Sequence, residues 1–396
     1  MKHKILLSPF FVYAFSFTSI LLLYQIGWSD FYPELHGFLM YFIICTVIIS
    51  LIYALVQSKN LHIPTEKITF KRGFIKKSIV FLLIGYSLDF IYESTVPLLR
   101  TFSDASYSYD DFKGVPTLHA VLATFNMFFS IAMFLHYTSY KTKKNFFIFI
   151  ASMLPYVLIL NRGAFMIVFC AVIFIYLSKI KSINFKSVLK AISILAVILY
   201  LFGVIGNVRQ KQTKTDNTYL LRVGGATDRF LESGVPAEFY WSYIYMISPM
   251  GNLQNLIDKK KDDFDTENFG FFVATELFPD FISKRISSAL EYDKIVEKDL
   301  SSRYLVTISL NAPTTYFRPY FELGSGGMII VFAVIMVSAF IYPKLIENSS
   351  PYYMISLASL NSIILLSMFN NMWYNAGTIL LWPLIFNYFY THKIKR

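Results

Sequence analysis

Six arginines, Arg209, Arg222, Arg229, Arg285, Arg303 and Arg318, share one polar stretch from Asn207 to Glu322 in a chain that is 55% hydrophobic overall. The same stretch holds 16 of the 25 acidic residues. A further arginine, Arg162, breaks an apolar region as Asn161-Arg162-Gly163. A guanidinium presents a planar fork that binds phosphate oxygens bidentately and stays charged at any relevant pH. Arg162, Arg209, Arg222 and Arg318 lie at the ends of apolar segments or just beyond them. Those positions reach the level of lipid head groups, so the set suits a phosphate or diphosphate carried on a lipid.

Other reactive residue types are fewer. Asp89 sits near the end of an apolar run that starts at Ser78, with Glu93 one turn later. At about 1.5 Å per residue it lies roughly 18 Å from Lys77, inside the hydrocarbon, where a carboxylate needs a partner or water. It is read either as a helix end in an aqueous vestibule, or as a site carboxylate or arginine partner. Asp263-Phe264-Asp265 matches a short acidic motif that holds metal and nucleotide-sugar in soluble glycosyltransferases, but it stands within a run of charges. His119 follows Pro116 at the start of an apolar run and reads as a packed interfacial histidine. The six histidines lack ligand spacing, and Cys45 and Cys170 both fall in apolar runs, so no metal, cofactor or disulfide framework is expected. No Walker loop, dinucleotide turn, HExxH or nucleophile elbow is present. Energy for any group transfer must then come from an activated substrate.

The elements that position these residues are apolar segments near the length that crosses about 30 Å of hydrocarbon. They run Ile5–Ile26, Gly37–Val56, Ser78–Tyr92, Pro116–Tyr137, Asn145–Leu160, Gly163–Leu177, Val188–Gly206, Gly326–Tyr342, Tyr352–Met368 and Trp373–Tyr390. The expected fold is all-α, one polytopic membrane domain over residues 1–396 with about ten spans and a large extracytoplasmic loop, 207–322. Ile5–Ile26 resembles a signal peptide, yet its apolar run is too long and no small-residue cleavage site follows, so it is kept as a span. Asn145–Leu160 reaches only about 24 Å, which sets Arg162 slightly below the outer surface. Phe239–Met250 is aromatic and too short to span, and is expected in the interface or folded over the bundle. Lys259-Lys260-Lys261-Asp262-Asp263 reads as a solvated turn.

On this topology 19 of the 36 Lys/Arg fall on the cytoplasmic side with two acids, Glu66 and Glu347. The outer side carries 17 Lys/Arg against 23 acids. That asymmetry is the positive-inside pattern, with both termini cytoplasmic, and it accounts for the net charge of +11 without nucleic acid.

Four stretches carry a family likeness: Pro97-Leu98-Leu99 followed by Tyr109 to His119 (YDDFKGVPTLH), Asn161-Arg162-Gly163, Gly206-Asn207-Val208-Arg209, and Asn311-Ala312-Pro313-Thr314-Thr315 with Tyr320 and Gly324-Ser325-Gly326-Gly327. In order and placement the chain resembles the bacterial oligosaccharide repeat-unit polymerases, the Wzy-type O-antigen or capsule polymerases. The resemblance implies a metal-independent, GT-C-like glycosyltransferase in the bacterial cytoplasmic (inner) membrane. Such an enzyme moves a growing glycan from undecaprenyl diphosphate to the terminal sugar of a new undecaprenyl-diphosphate-linked unit. Membrane lipids, a chain-length regulator and a flippase are the implied partners. Carried over, Arg162, Arg209 and Arg318 would hold the diphosphates and neutralise the leaving group, with Arg222 in support. Glu238, Asp110, Asp111 and Asp89 are candidates to assist the acceptor hydroxyl, and spacing does not choose among them. Asn311, Thr314 and Tyr320 would bond sugar or phosphate, or else cap the entry to the next span.

Three rival classes remain. An O-antigen ligase shares the loop and the arginines but relies on a histidine in its large loop, and Asn207–Glu322 has none. A flippase or transporter of lipid-linked sugars would spread charge through many spans, whereas Phe38–Val56 carries none. A structural scaffold leaves Arg162 and Asp89 without a purpose.

Overall fold

The computed structural model describes residues 4–61, 63, 69–70, 73–104, 107, 111–180, 186, 189, 193, 195–197, 199–200, 203–204, 221–222, 224–262, 264, 268–290, 302–307 and 310–394. Arg209, Asp110, Asp263 and Asp265 lie outside them, as does most of the expected span Val188–Gly206. Among the described residues all regular structure is helical: α1 (Pro9–Tyr24), α2 (Gly37–Asn60), α3 (Phe74–Tyr92), α4 (Pro97–Ser103), α5 (Leu118–Tyr140), α6 (Lys143–Leu158), α7 (Arg162–Lys179), α8 (Asp228–Leu231), α9 (Ala237–Lys259), α10 (Phe269–Glu276), α11 (Asp280–Ala289), α12 (Phe317–Ile341), α13 (Tyr353–Leu366), α14 (Met372–Ala376) and α15 (Leu381–Ile394). Four helices among the described residues are long and apolar enough to cross a membrane: Gly37–Lys59, Leu118–Tyr140, Arg162–Lys179 and Phe317–Lys344. Pro9–Tyr24 and Tyr353–Leu366 are shorter and also apolar. Among the described residues the architecture is all-helical, with the long apolar helices of a membrane protein.

Local chemistry sets the boundaries. Pro9 opens α1 at a position where its missing N–H costs nothing. Lys141 leaves α5 in the left-handed region, and the Thr142 side chain then accepts from Asn145 N–H to start α6. Leu160 repeats the left-handed step before α7, whose N-cap Asn161 accepts from Ala164 N–H. Two tight connections therefore stack α5, α6 and α7 as consecutive hairpins.

α13 is the axis of the bundle. It is buried along almost its whole length and packs between α7 and α1. Several of its polar groups are bonded inside the bundle, as hydrocarbon favours. The Asn361 amide donates to Leu7 O at 2.9 Å, and Ser362 turns back to Ala358 O.

Two segments differ from expectation. The aromatic piece Phe239–Met250 belongs to a 23-residue helix, α9, buried from Tyr240 to Leu256. Pro249, Gly251, Asn252, Gln254 and Asn255 look like a helix end in sequence, but the asparagines have tertiary partners. Asn252 donates to Leu310 O and accepts from Val306 N–H, and Asn255 donates to Tyr304 O at 2.6 Å. α9 thus holds the 304–312 segment that leads into α12. The last expected span, Trp373–Tyr390, is broken into α14, a 3-10 turn at Gly377–Leu380, and α15. A Cβ at Gly377 would sit 3.2 Å from Pro279, so the break lies against the α10–α11 connection.

α12 is itself interrupted at Leu323 and Gly324, the latter at φ 58°. Ser325 N–H just past the break is taken by the Asp262 carboxylate at 2.8 Å. The charged run at 259–263 is therefore tied to the bundle at Asp262. The break separates a polar first segment, which includes Arg318 and Glu322, from the apolar remainder.

Candidate functional site

A cleft of 320 Å³ opens where the α6–α7 connection meets the loop before α5. Phe112, His119, Ile159, Leu160, Asn161, Arg162 and Gly163 line it. Arg162 is the first residue of α7 and is exposed. A cation at a helix N-terminus opposes the helix dipole, at a cost of roughly 0.3–1 kcal/mol, unless an anion is shared there. Asn161 caps Ala164 N–H at 2.9 Å and fixes the approach. A Cβ on Gly163 would meet only Asn161 Oδ1, at 3.6 Å, so packing within the protein does not require glycine here. What the glycine does is leave the N-terminus of α7 open to the cleft, an arrangement suited to anions.

His119 lines the same cleft. Its Nδ1 lies 2.7 Å from Asp89 Oδ2, and Asp89 Oδ1 accepts Val115 N–H at 2.9 Å. Asp89 is 0% exposed, whereas the His119 side chain is 22% exposed. The deep carboxylate therefore has a partner, and that partner is a histidine with no arginine involved. The edge of the Phe112 ring meets the imidazole at 5.6 Å between centroids. Gly114, at φ +65°, passes so close that a Cβ there would stand 2.7 Å from His119 Nδ1. Glu93 accepts the N–H groups of Lys113 and Gly114 and holds the same loop. Arg285 of α11 donates to the Thr117 hydroxyl at 2.9 Å from the other side. Leu160 and Thr117, both non-glycine residues at positive φ, flank the cleft. Strained backbone of this kind persists where surrounding structure imposes it.

Arg318 lies in a second cluster. Its guanidinium reaches Glu276 Oε1 at 3.1 Å and Glu322 Oε1 at 3.4 Å. Both carboxylates are buried, at 1% and 0% side-chain exposure, and Arg318 is 24% exposed. Thr275 donates to Glu322, and Asn371 donates to both the carbonyl and the carboxylate of Glu276. Tyr374 donates to Asp280, which also pairs with Lys284 at 2.7 Å. α11 borders both places, through Asp280 at its start and Arg285 further along.

The remaining nominated residues disperse. Arg222 is exposed beside the 27–32 turn, where Asp30 N–H bonds Gly225 O and Ser29 bonds Gly224 O. That turn sits on an aromatic cluster of Tyr32, Phe230, Tyr240, Trp241 and Tyr243. Glu238 is half-buried in the first turn of α9, a favourable place for a carboxylate, and its backbone carbonyl packs against Gly203. Thr314 is buried with its hydroxyl accepting Tyr316 N–H, as a cap would. Tyr320 is buried with its hydroxyl 3.4 Å from Lys260 O, and Asn311 is exposed. Asp111 is exposed in the loop before α5.

Sequence reasoning passed over His119, Glu276 and Glu322 as site residues. Glu322 had a signal, its i+4 spacing from Arg318. Glu276 had none, because the loop brings it in from 42 positions away. No family model, no curated protein and no solved structure matches this chain.

Proposed function

We propose that this protein is a membrane-embedded glycosyltransferase that polymerises lipid-linked oligosaccharide units. It transfers the growing glycan from undecaprenyl diphosphate to the terminal sugar of a new undecaprenyl-diphosphate-linked unit. The observation that carries the reading is Arg162 at the N-terminus of α7, in the lining of one cleft with His119. One wall supplies a guanidinium and a helix N-terminus for an anion, and the apolar Ile159 and Leu160 beside them suit the carrier's first isoprenes. The likeness to repeat-unit polymerases supports the same chemistry, with ten spans, a GT-C-like arrangement, cytoplasmic termini and an active face outside the bacterial inner membrane. Arg209 is the second arginine of the proposal.

Deleting the gene tests it: single repeat units still displayed on the cell surface, without longer chains, is the expected result. Arg162→Ala and Arg209→Ala are expected to abolish long chains at unchanged protein level. Normal chain-length ladders in both variants defeat the assignment. One observation favours a second reading. His119 supplies the cleft with a histidine from outside the large loop, so an O-antigen ligase is not excluded by the absence of histidine from 207–322. A ligase mutant would display no repeat units at all.

A further inference from the structure

We infer that His119 is the general base toward the acceptor hydroxyl and that Asp89 is the residue that positions it, an assignment resting on the transfer reaction proposed above. Of the four carboxylates nominated from sequence, Asp110 lies outside the described residues, and Asp89 is wholly buried. Glu238, on α9 beside Gly203, and the exposed Asp111 are not among the residues that line the cleft. His119 does line it, together with Arg162.

With Asp89 ionised, the same contact assigns the tautomer. Asp89 accepts Val115 N–H on one oxygen, and the arrangement that completes the site is a carboxylate accepting again on the other, with the imidazole proton on Nδ1. Nε2 then carries the lone pair. A carboxylate holding the far nitrogen of a base is the same division of labour found in hydrolase triads. Phe112 and the Gly114 backbone pack the ring from two further sides, so its orientation is held before substrate arrives.

The transfer then balances as a single displacement. An acceptor hydroxyl gives its proton to His119 Nε2 as its oxygen pair forms the bond to the anomeric carbon. The bond from that carbon to the diphosphate oxygen breaks, and its electron pair leaves on the diphosphate beside Arg162. The proton on His119 passes to the released diphosphate or to water, restoring the base.

The test uses the full chain in lipid nanodiscs and, as probe, the lipid-linked oligosaccharide extracted from cells lacking the gene. His119→Gln is expected to slow lengthening about 10²-fold or more, the usual range for loss of a general base. Asp89→Asn is expected to match it, because the amide would donate to Nδ1 and move the proton to Nε2. The wild type should lose activity on the acid side of its pH–rate profile, and His119→Gln should lack that limb. Among the described residues, the charged groups on the elements that meet at the imidazole are Asp89 and Glu93 from α3, Asp111 and Lys113 from the loop, Arg162 from α7 and Arg285 from α11; Asp89 bonds the ring.

Binding is read separately, as the thermal shift given by farnesyl diphosphate. His119→Gln should keep that shift and Arg162→Gln should lose it, so misfolding of the histidine variant cannot pass for loss of the base. If the wild type lengthens the probe and His119→Gln retains both its rate and its acid limb, the base assignment is overturned while the polymerase reading stands. If the wild type leaves the probe unlengthened, the polymerase reading itself fails.

Discussion

Arg162 and Arg318 look alike in sequence, each at the start of a helix that runs on into an apolar segment, yet their surroundings differ in kind. Arg318 is held by two buried carboxylates, Glu276 and Glu322, which Thr275 and Asn371 bond in turn. Arg162 stands exposed on a helix N-terminus beside a glycine that leaves space in front of it. A guanidinium gripped by two buried carboxylates is held in one place by the fold. One at the N-terminus of a helix adds its charge to that of the helix dipole, and both favour an anion there. Position at a helix start therefore does not tell the two apart. What differs is what each side chain stands against: two buried carboxylates for Arg318, and a cleft for Arg162.

The contrast can be broken at its strongest point first. Arg318→Ala would leave Glu276 and Glu322 buried without a counter-charge, and a loss of about 3–5 kcal/mol is expected, read as a lowered melting temperature or lost yield in detergent. If Arg318→Ala instead melts like the wild type and only the glycan ladder changes, Arg318 belongs with Arg162 in function. The comparison sharpens with a double change. Arg318→Met with Glu276→Gln should recover a large part of the stability lost by Arg318→Met alone, by about 1 kcal/mol or more of coupling in a double-mutant cycle.

A smaller effect is expected at the cap. Asn161→Ala should cost about 1 kcal/mol through the lost bond to Ala164 N–H, and should weaken the farnesyl diphosphate thermal shift because the N-terminus of α7 frays. Smallest in stability is Arg162→Ala, within about 0.5 kcal/mol of the wild type, as for an exposed side chain. The same change is expected to remove long glycan chains altogether. A large stability loss at Arg162 would mean that its role is internal to the fold, like that of Arg318.

Much of the helical layout was legible from hydrophobic runs, because a segment that must bury its backbone in hydrocarbon has to be both long and apolar. α2, α5 and α7 fall where those runs lie, within a few residues at each end. The α6–α7 turn was legible too, since Asn-Arg-Gly between two apolar runs is a cap followed by a helix start. α9 was not. Its second half is polar in sequence and becomes helical because Asn252 and Asn255 bind backbone from residues 304–312. The break near Gly377 was hidden for a similar reason, as Pro279 packs against it from a distant segment.

Composition and order alone pointed to a helical membrane chain, to arginines at the ends of several apolar runs, and to a need for a partner at Asp89. These are local or summed properties: apolar length, charge sign, and the cost of a carboxylate in hydrocarbon. Tertiary structure decided which partner each charge received. It gave His119 to Asp89 across 30 positions, gave Glu276 to Arg318 across 42, and set Arg162 and His119 in the lining of one cleft. Pairings at such separations depend on how helices pack side by side, and a linear pattern of residues carries no measure of that distance.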